Sequence, residues 1–149
     1  MTIQIGPLGG KLIFWGAALF LIGLLQGGLV PYFVNPRMAL SAHLAAVQSG
    51  MALMIFGLIW ELLSLQDKYL KITYWSGFLS MYLIWFSITL SAIFGASKAL
   101  PMAGQDFSAN ELIETLVLVI VYAGAGLGIL SGALIVFGLA KFYKKGALY

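Results

Sequence analysis

The sequence predicts an all-α fold, a bundle of four helices embedded in a membrane. Three observations predict it. Hydrophobic residues make up 62% of the 149-residue chain and charged residues only 9%, and so few charges cannot cover a water-facing surface, which in soluble domains draws on roughly 25% charged residues. The apolar residues fall in four continuous runs, each long enough for the ~20 residues that a helix needs to cross a bilayer. The runs do not alternate apolar with polar residues, which excludes a β-barrel. Four spans with short connections use residues 1–149 as one transmembrane domain. No soluble catalytic domain fits, so any chemistry sits inside the bundle or at its mouths.

The first helix is predicted over 12–30, closed by Pro31, because proline cannot continue the hydrogen-bond ladder. Gly23 and Gly27 lie one turn apart there, a spacing that lets two backbones approach closely. This run reads as a span and not as a cleaved signal, since it is long and lacks a small-x-small site before Pro31. The second helix is predicted over 38–65, with Glu61 near its end beside Lys68. The third, 72–96, carries two stripes. Thr73, Gly77, Ser80, Ile84, Ser87 and Ser91 form a small, weakly polar face. Trp75, Phe78, Tyr82, Trp85 and Thr89 form an aromatic one, with Trp75 as an interfacial anchor. The fourth helix, 112–143, places Gly124, Gly128 and Gly132 on one face, which reads equally as packing within the chain or as contact between copies. In the loop before it, Glu111 is expected to cap the helix and Asp106 to lie at a site mouth.

The basic residues give an orientation. Lys11, Lys68, Lys71, Lys141, Lys144 and Lys145 fall on one side, Arg37 and Lys98 on the other. The positive-inside rule then puts both termini in the cytoplasm of a cell with an inner, cytoplasmic membrane. The net charge of +3 points to anionic lipid headgroups and not to nucleic acid.

Composition also limits the chemistry. The chain has no cysteine and one histidine, His43. Disulfides, thiolate nucleophiles and cysteine-ligated clusters are excluded, and one chain cannot offer two histidines to a haem or three to a zinc. No phosphate loop, zinc signature or Ser-His-Asp order is present. His43 is the first candidate, because an ionisable group inside a span is a functional hypothesis by default. Helical spacing sets it on one face with Ala46, Gly50, Gly57 and Glu61. The small Ala46 and Gly50 leave room beside it for a flat macrocycle with the imidazole as axial ligand. The same residue also reads as a histidine hydrogen-bonded to a neighbouring helix. Gln48 and Ser49 share the helix, but Ser49 is about 120° around from His43, so one straight helix does not aim both at one atom. Tyr82 stands out in the third helix, because a phenol in mid-membrane needs a partner.

The run Asn35-Pro36-Arg37-Met38-Ala39-Leu40-Ser41-Ala42-His43-Leu44 resembles the signature of the hydroxylaminobenzene mutase family, which is similar to styrene oxide isomerase. The resemblance continues through Ser49-Gly50-Met51 and Gly57-Leu58-Ile59-Trp60. It reappears at Trp75, Trp85, Gly95 and Pro101-Met102-Ala103-Gly104. It implies a compact four-helix subunit assembled as a homotrimer. It implies a b-type haem held between subunits by one histidine, matching His43, with the opposite iron position open. Ferric iron would act as a Lewis acid on an epoxide or hydroxylamine oxygen, rearranging small apolar aromatic substrates that enter from the bilayer, without net redox change. Two positions depart from the pattern: relatives usually carry asparagine at the positions of Ser49 and Ile84. Serine is shorter and isoleucine forms no hydrogen bond, so Ser49, Gln48 and Tyr82 are the residues left to orient a substrate. The alternative reading is a non-catalytic subunit of a larger membrane complex that keeps the fold.

Overall fold

Proline sets three helix starts. Pro7, Pro36 and Pro101 each stand in a first helical turn, where a missing N–H costs nothing and the fixed φ suits the helix. The computed structural model describes residues 5–146, apart from the Lys145 side chain. The chain ends and the Lys145 share of the charge count therefore lie outside the described residues. Helix α1 is Pro7–Leu29, continued by a 3₁₀ turn, Val30–Tyr32. Helix α2 is Pro36–Leu58, α3 is Asp67–Phe94, α4 is the single turn Pro101–Gly104 and α5 is Glu111–Gly146. Four of them are long and apolar enough to cross a membrane, and no strand occurs among the described residues.

The fold turns on a seven-residue spacing in two helices. Gly9, Gly16 and Gly23 recur along α1, and His43, Gly50 and Gly57 along α2. In the antiparallel hairpin these face each other pair by pair. A Cβ built on Gly9 would lie 2.8 Å from the Gly57 carbonyl oxygen, and one on Gly16 would lie 2.7 Å from that of Gly50. Backbone thus packs directly on backbone, in the close approach that small residues permit in membranes. The period of seven keeps such a seam facing its partner along the whole contact.

The same register explains why the run 38–65 is not one helix. Gly57 already lies opposite Gly9, beside the start of α1. Beyond Leu58 the chain turns through a 3₁₀ segment, Trp60–Leu62. Glu61 Oε1 there accepts the Gly6 N–H at 3.0 Å. Glu61 thus caps the positive end of α1 and forms no ion pair with Lys68. Among the described residues the ion pair is Lys98–Glu111, at 2.6 Å.

Helices α3 and α5 form the second hairpin. The weakly polar stripe of α3 faces α5: Cβ atoms built on Gly124 and Gly128 would lie 3.0 Å from Ile84 Cγ1 and 2.7 Å from Ser80 Oγ. Gly124 and Gly128 therefore serve packing within the chain, whereas built Cβ atoms on Gly126 and Gly132 meet nothing within 4 Å. The hydroxyls of Thr73, Ser76, Ser87 and Ser91 donate to carbonyls of their own helix, which satisfies them without water. Helix α2 packs on α3 and joins the hairpins, while α1 and α5 share no packed face. Helix α1 also reaches α3, through Tyr82 to Trp15 and Trp85 to Gln26, so the four long helices pack in the order α1–α2–α3–α5 with α1 and α5 apart. Large apolar side chains such as Phe14, Leu25, Ile129 and Val136 point outward, toward lipid or a second chain.

At the Arg37–Lys98 end two polar anchors hold the loops. Asn35 is buried; its Oδ1 accepts the Met38 N–H and caps α2, while its Nδ2 donates to the carbonyls of Ala103 and Gly104. The buried Glu114 carboxylate accepts N–H groups from Ser97, Lys98 and Ala109. Asn110, not Glu111, supplies the side-chain cap of α5, accepting the Ile113 N–H at 2.9 Å. Glu111 is instead drawn outward to Lys98. Asp106 is exposed.

Two stability tests follow from these contacts, both read as thermal unfolding in detergent. Gly50→Ala should destabilise by about 1–3 kcal/mol, the usual cost of overpacking, because its methyl meets the main chain at Phe20 and Gly16. Gly10→Ala, in α1 with nothing within 4 Å of its built Cβ, should be neutral or stabilising by up to ~1 kcal/mol. At the other end, Asn35→Ala should cost about 2 kcal/mol through the lost cap and the two freed carbonyls. Asn35→Asp should be no better, since its carboxylate would face the two carbonyl oxygens that Asn35 Nδ2 serves. A wild-type melting temperature for Asn35→Asp would refute this account of the anchor.

Candidate functional site

The Asn35 cap fixes where α2 begins, and that fixes the depth of its histidine. His43 lies seven residues beyond Pro36, about 10 Å along the helix axis. The glycine register continues to this point: the partner of Gly50 is Gly16, and seven residues along each helix the partner of His43 is Gly23. There His43 Nδ1 lies 2.7 Å from the Gly23 carbonyl oxygen. A carbonyl can only accept, so Nδ1 carries the proton, and in the neutral ring Nε2 keeps its lone pair. The reading of His43 as bonded to a neighbouring helix is met by this contact, and the other ring nitrogen keeps its lone pair.

Gly27 makes this approach possible. In α1 its N–H belongs to the helical bond to the Gly23 carbonyl, so it sits directly over that oxygen. A Cβ on Gly27 would come within 2.9 Å of both His43 Cε1 and Nδ1. The ring lies in the space a side chain would fill. The imidazole itself is half-buried.

The donor set can be tested against a metal or cofactor. Among the described residues no group of three His, Cys, Asp or Glu side chains comes together. The site therefore offers a single nitrogen. That suits one axial position of a haem, whose porphyrin supplies the remaining in-plane ligands, and does not suit zinc, which takes three or four protein ligands. A backbone carbonyl on the far ring nitrogen is the usual arrangement behind a metal-bound histidine.

One expectation about the surroundings is corrected. The small face beside His43 is not open, because α1 fills it. Ala46 is fully buried, and a Cβ on Gly23 would meet its methyl at 2.8 Å. Gly50 lies against Phe20 and Gly16. Neither borders a space for a macrocycle within the chain, so a group on Nε2 would lie on the chain's outer side. The other candidates do not converge on His43. Gln48 is exposed. Ser49 is buried and lies seven residues from Phe56, whose ring packs near Gly77 of α3; it belongs to the α3 side of α2, while His43 belongs to the α1 side. The Tyr82 hydroxyl donates to the Trp15 carbonyl at 2.9 Å, and that carbonyl is eight residues, about 12 Å, from Gly23 along α1. Ile84 packs over Gly124.

A polar cluster that the sequence reading did not single out lies at the height of His43. Gln26 of α1 is buried. Its Oε1 accepts from Trp85 Nε1 at 2.8 Å and its Nε2 donates to Thr89 Oγ1 at 3.2 Å. Thr89 Oγ1 in turn donates to the Trp85 carbonyl at 2.9 Å, which closes a ring of hydrogen bonds between α1 and α3. The signal was present: Gln26 is an uncharged polar residue inside the first apolar run, where an amide must find partners.

Comparison with known proteins gives the family. The family model described as styrene oxide isomerase matches residues 8–140. The hydroxylaminobenzene mutase HabA of Ectopseudomonas oleovorans is 36% identical over 109 residues, which span 72% of this chain and 81% of the relative. HabB of the same organism is 37% identical over 112 residues, 74% of this chain and 68% of the relative. No solved structure matches the chain. With a family model covering all four spans and two relatives aligned over most of their length, the chain belongs to the styrene oxide isomerase family.

Proposed function

We propose that this chain is a membrane-embedded isomerase that rearranges small aromatic hydroxylamines or epoxides, with a b-type haem on His43. The observation that carries the proposal is the locked imidazole: Nδ1–H on the Gly23 carbonyl at 2.7 Å, Nε2 free. When bound, the haem would supply a Lewis acid for the substrate oxygen, and the rearrangement needs no net oxidation. The chain's own part is positional. The Gly23 carbonyl holds the ring in the tautomer that leaves the Nε2 lone pair available. Gly27 keeps the approach clear. The apolar helix surfaces admit an apolar substrate from the bilayer and exclude water.

A homotrimer belongs to the same reading. Helix α1 covers one side of the half-buried His43, and further copies would cover the part of the ring left accessible. The lysine-rich end, with Lys11, Lys68, Lys71, Lys141 and Lys144, would face the cytoplasm across an inner membrane. A second reading, a non-catalytic subunit of a larger membrane complex, is favoured by one observation. Of the two positions where the resemblance implies asparagine, Ile84 packs over Gly124 of α5 and Ser49 is a buried serine.

Absorption spectra of the detergent-purified protein, oxidised and dithionite-reduced, decide between them. The expected result is a Soret band in the parent, lost in His43→Ala, with turnover of aryl hydroxylamines or styrene oxide lost alongside. A featureless spectrum and no turnover after haem-supplemented expression would leave the subunit reading. Gly27→Ala should retain the fold but displace the ring, lowering haem occupancy or turnover about tenfold, the effect of losing roughly 1.4 kcal/mol of positioning.

A further inference from the structure

We propose that Gln26 is a positioning residue for His43: by bonding to Trp85 and Thr89 on α3 it holds α1 at the height where the Gly23 carbonyl receives the His43 Nδ1–H. At this depth α1 stands between two partners. One side of it touches the His43 ring, through the Gly23 carbonyl at 2.7 Å and through Gly27. Another side carries Gln26, three residues after Gly23 and one before Gly27. The helix is therefore held between the imidazole on α2 and the Trp85–Thr89 pair on α3.

Glycines cannot set this position alone. Gly9, Gly16 and Gly23 let α1 and α2 approach, but a smooth glycine seam opposes sliding only weakly. A directional contact is needed to fix the height, and Gln26 supplies one with both ends of its amide. Its acceptor takes Trp85 Nε1 and its donor reaches Thr89 Oγ1, whose own proton goes to the Trp85 carbonyl. Every member of the ring is satisfied, and in a water-free setting such a network has few competing arrangements. A shift of α1 that breaks the ring also moves the Gly23 carbonyl away from Nδ1. The ring bond then weakens, and with it the preference for the Nδ1–H tautomer.

The role of His43 as a ligand rests on the function proposed above, whereas its hydrogen bond to Gly23 does not, and the test separates the two. His43 is the only histidine in the chain, so its ring signals need no assignment. The full-length parent is compared with Gln26→Met, Trp85→Phe and Tyr82→Phe. The last removes another bond between α1 and α3, eleven residues or about 16 Å from Gln26 along α1, and controls for general loosening. If the purified parent carries haem, the iron–histidine stretch of the ferrous form reports the Nδ1–H bond. It should move to lower frequency in Gln26→Met and Trp85→Phe and stay in place in Tyr82→Phe. If the parent carries none, the haem reading fails, and ring ¹⁵N spectra of histidine-labelled protein report the tautomer directly. The minor tautomer should then rise about fivefold in the first two variants, the size expected from one weakened hydrogen bond, and not in Tyr82→Phe. An unchanged His43 in Gln26→Met and Trp85→Phe overturns the proposal, and so does an equal change in all three. Should Gln26→Met fail to fold, Trp85→Phe, which keeps an aromatic ring in place, decides alone.

Discussion

The structure depends on one contact, the main chain of α1 against the main chain of α2. Lipid offers apolar side chains no reason to leave it, so helices in a bilayer associate through close packing and polar bonds. Here the packing comes from residues without side chains. Gly9 on Gly57 and Gly16 on Gly50 bring carbonyl oxygens to within van der Waals reach of the opposing Cα atoms, a geometry that also permits weak Cα–H···O bonds. The contact decides which residues of the two helices face each other, and directional bonds beside it, Gly6 to Glu61 and His43 to Gly23, resist sliding. From it follow the early end of α2, the meeting of Glu61 with Gly6, and the position of His43 opposite Gly23. Exchanging a glycine for a larger residue at either of those two crossings would therefore disturb more than local packing.

The second hairpin is built on a different principle. Helix α3 presents hydroxyls to α5, most of them bonded to their own helix. Ser80 Oγ is the exception, buried against Gly128 without a hydrogen-bond partner. The loop end is polar in another way: Asn35 and Glu114 each gather several main-chain groups that have no place in a helix. Asn35 also joins the two most distinctive stretches of the sequence. The signature around His43 and the Pro101–Gly104 turn lie far apart in the chain, yet the Asn35 amide bonds one to the other.

Much of this was legible in the sequence. The four spans follow from composition and length, and the family follows from Asn35–Leu44. The stripes of α3 are real, although the weakly polar one serves packing. The missing part was partnership. A stripe of small residues says that something comes close and not what; Ala46 and Gly50 read as room for a macrocycle because the sequence does not name α1 as their neighbour. The answer was nonetheless latent in the period. Spacings of seven at Gly9, Gly16 and Gly23 match those at His43, Gly50 and Gly57, and antiparallel pairing of the two series puts the histidine opposite a glycine. Glu111 was misread for a related reason. Charge alone favours an acid at a helix start, but the neutral Asn110 one residue earlier has the better geometry for a cap.

The single histidine gains its chemical character from the backbone. A lone imidazole in a span can satisfy itself in two tautomers, and only one leaves Nε2 as a base. The choice is made by a carbonyl that is already bonded within its helix, using its second lone pair. That carbonyl is reachable only because residue 27 has no side chain. The requirement is therefore distributed. Gly23 must present its oxygen, Gly27 must stay small, and the glycine seam must hold the two helices at the right separation. None of these residues carries a functional group, and none would draw notice as part of a site. In a chain with no cysteine and a single histidine, the character of that one imidazole is set by the main chain around it.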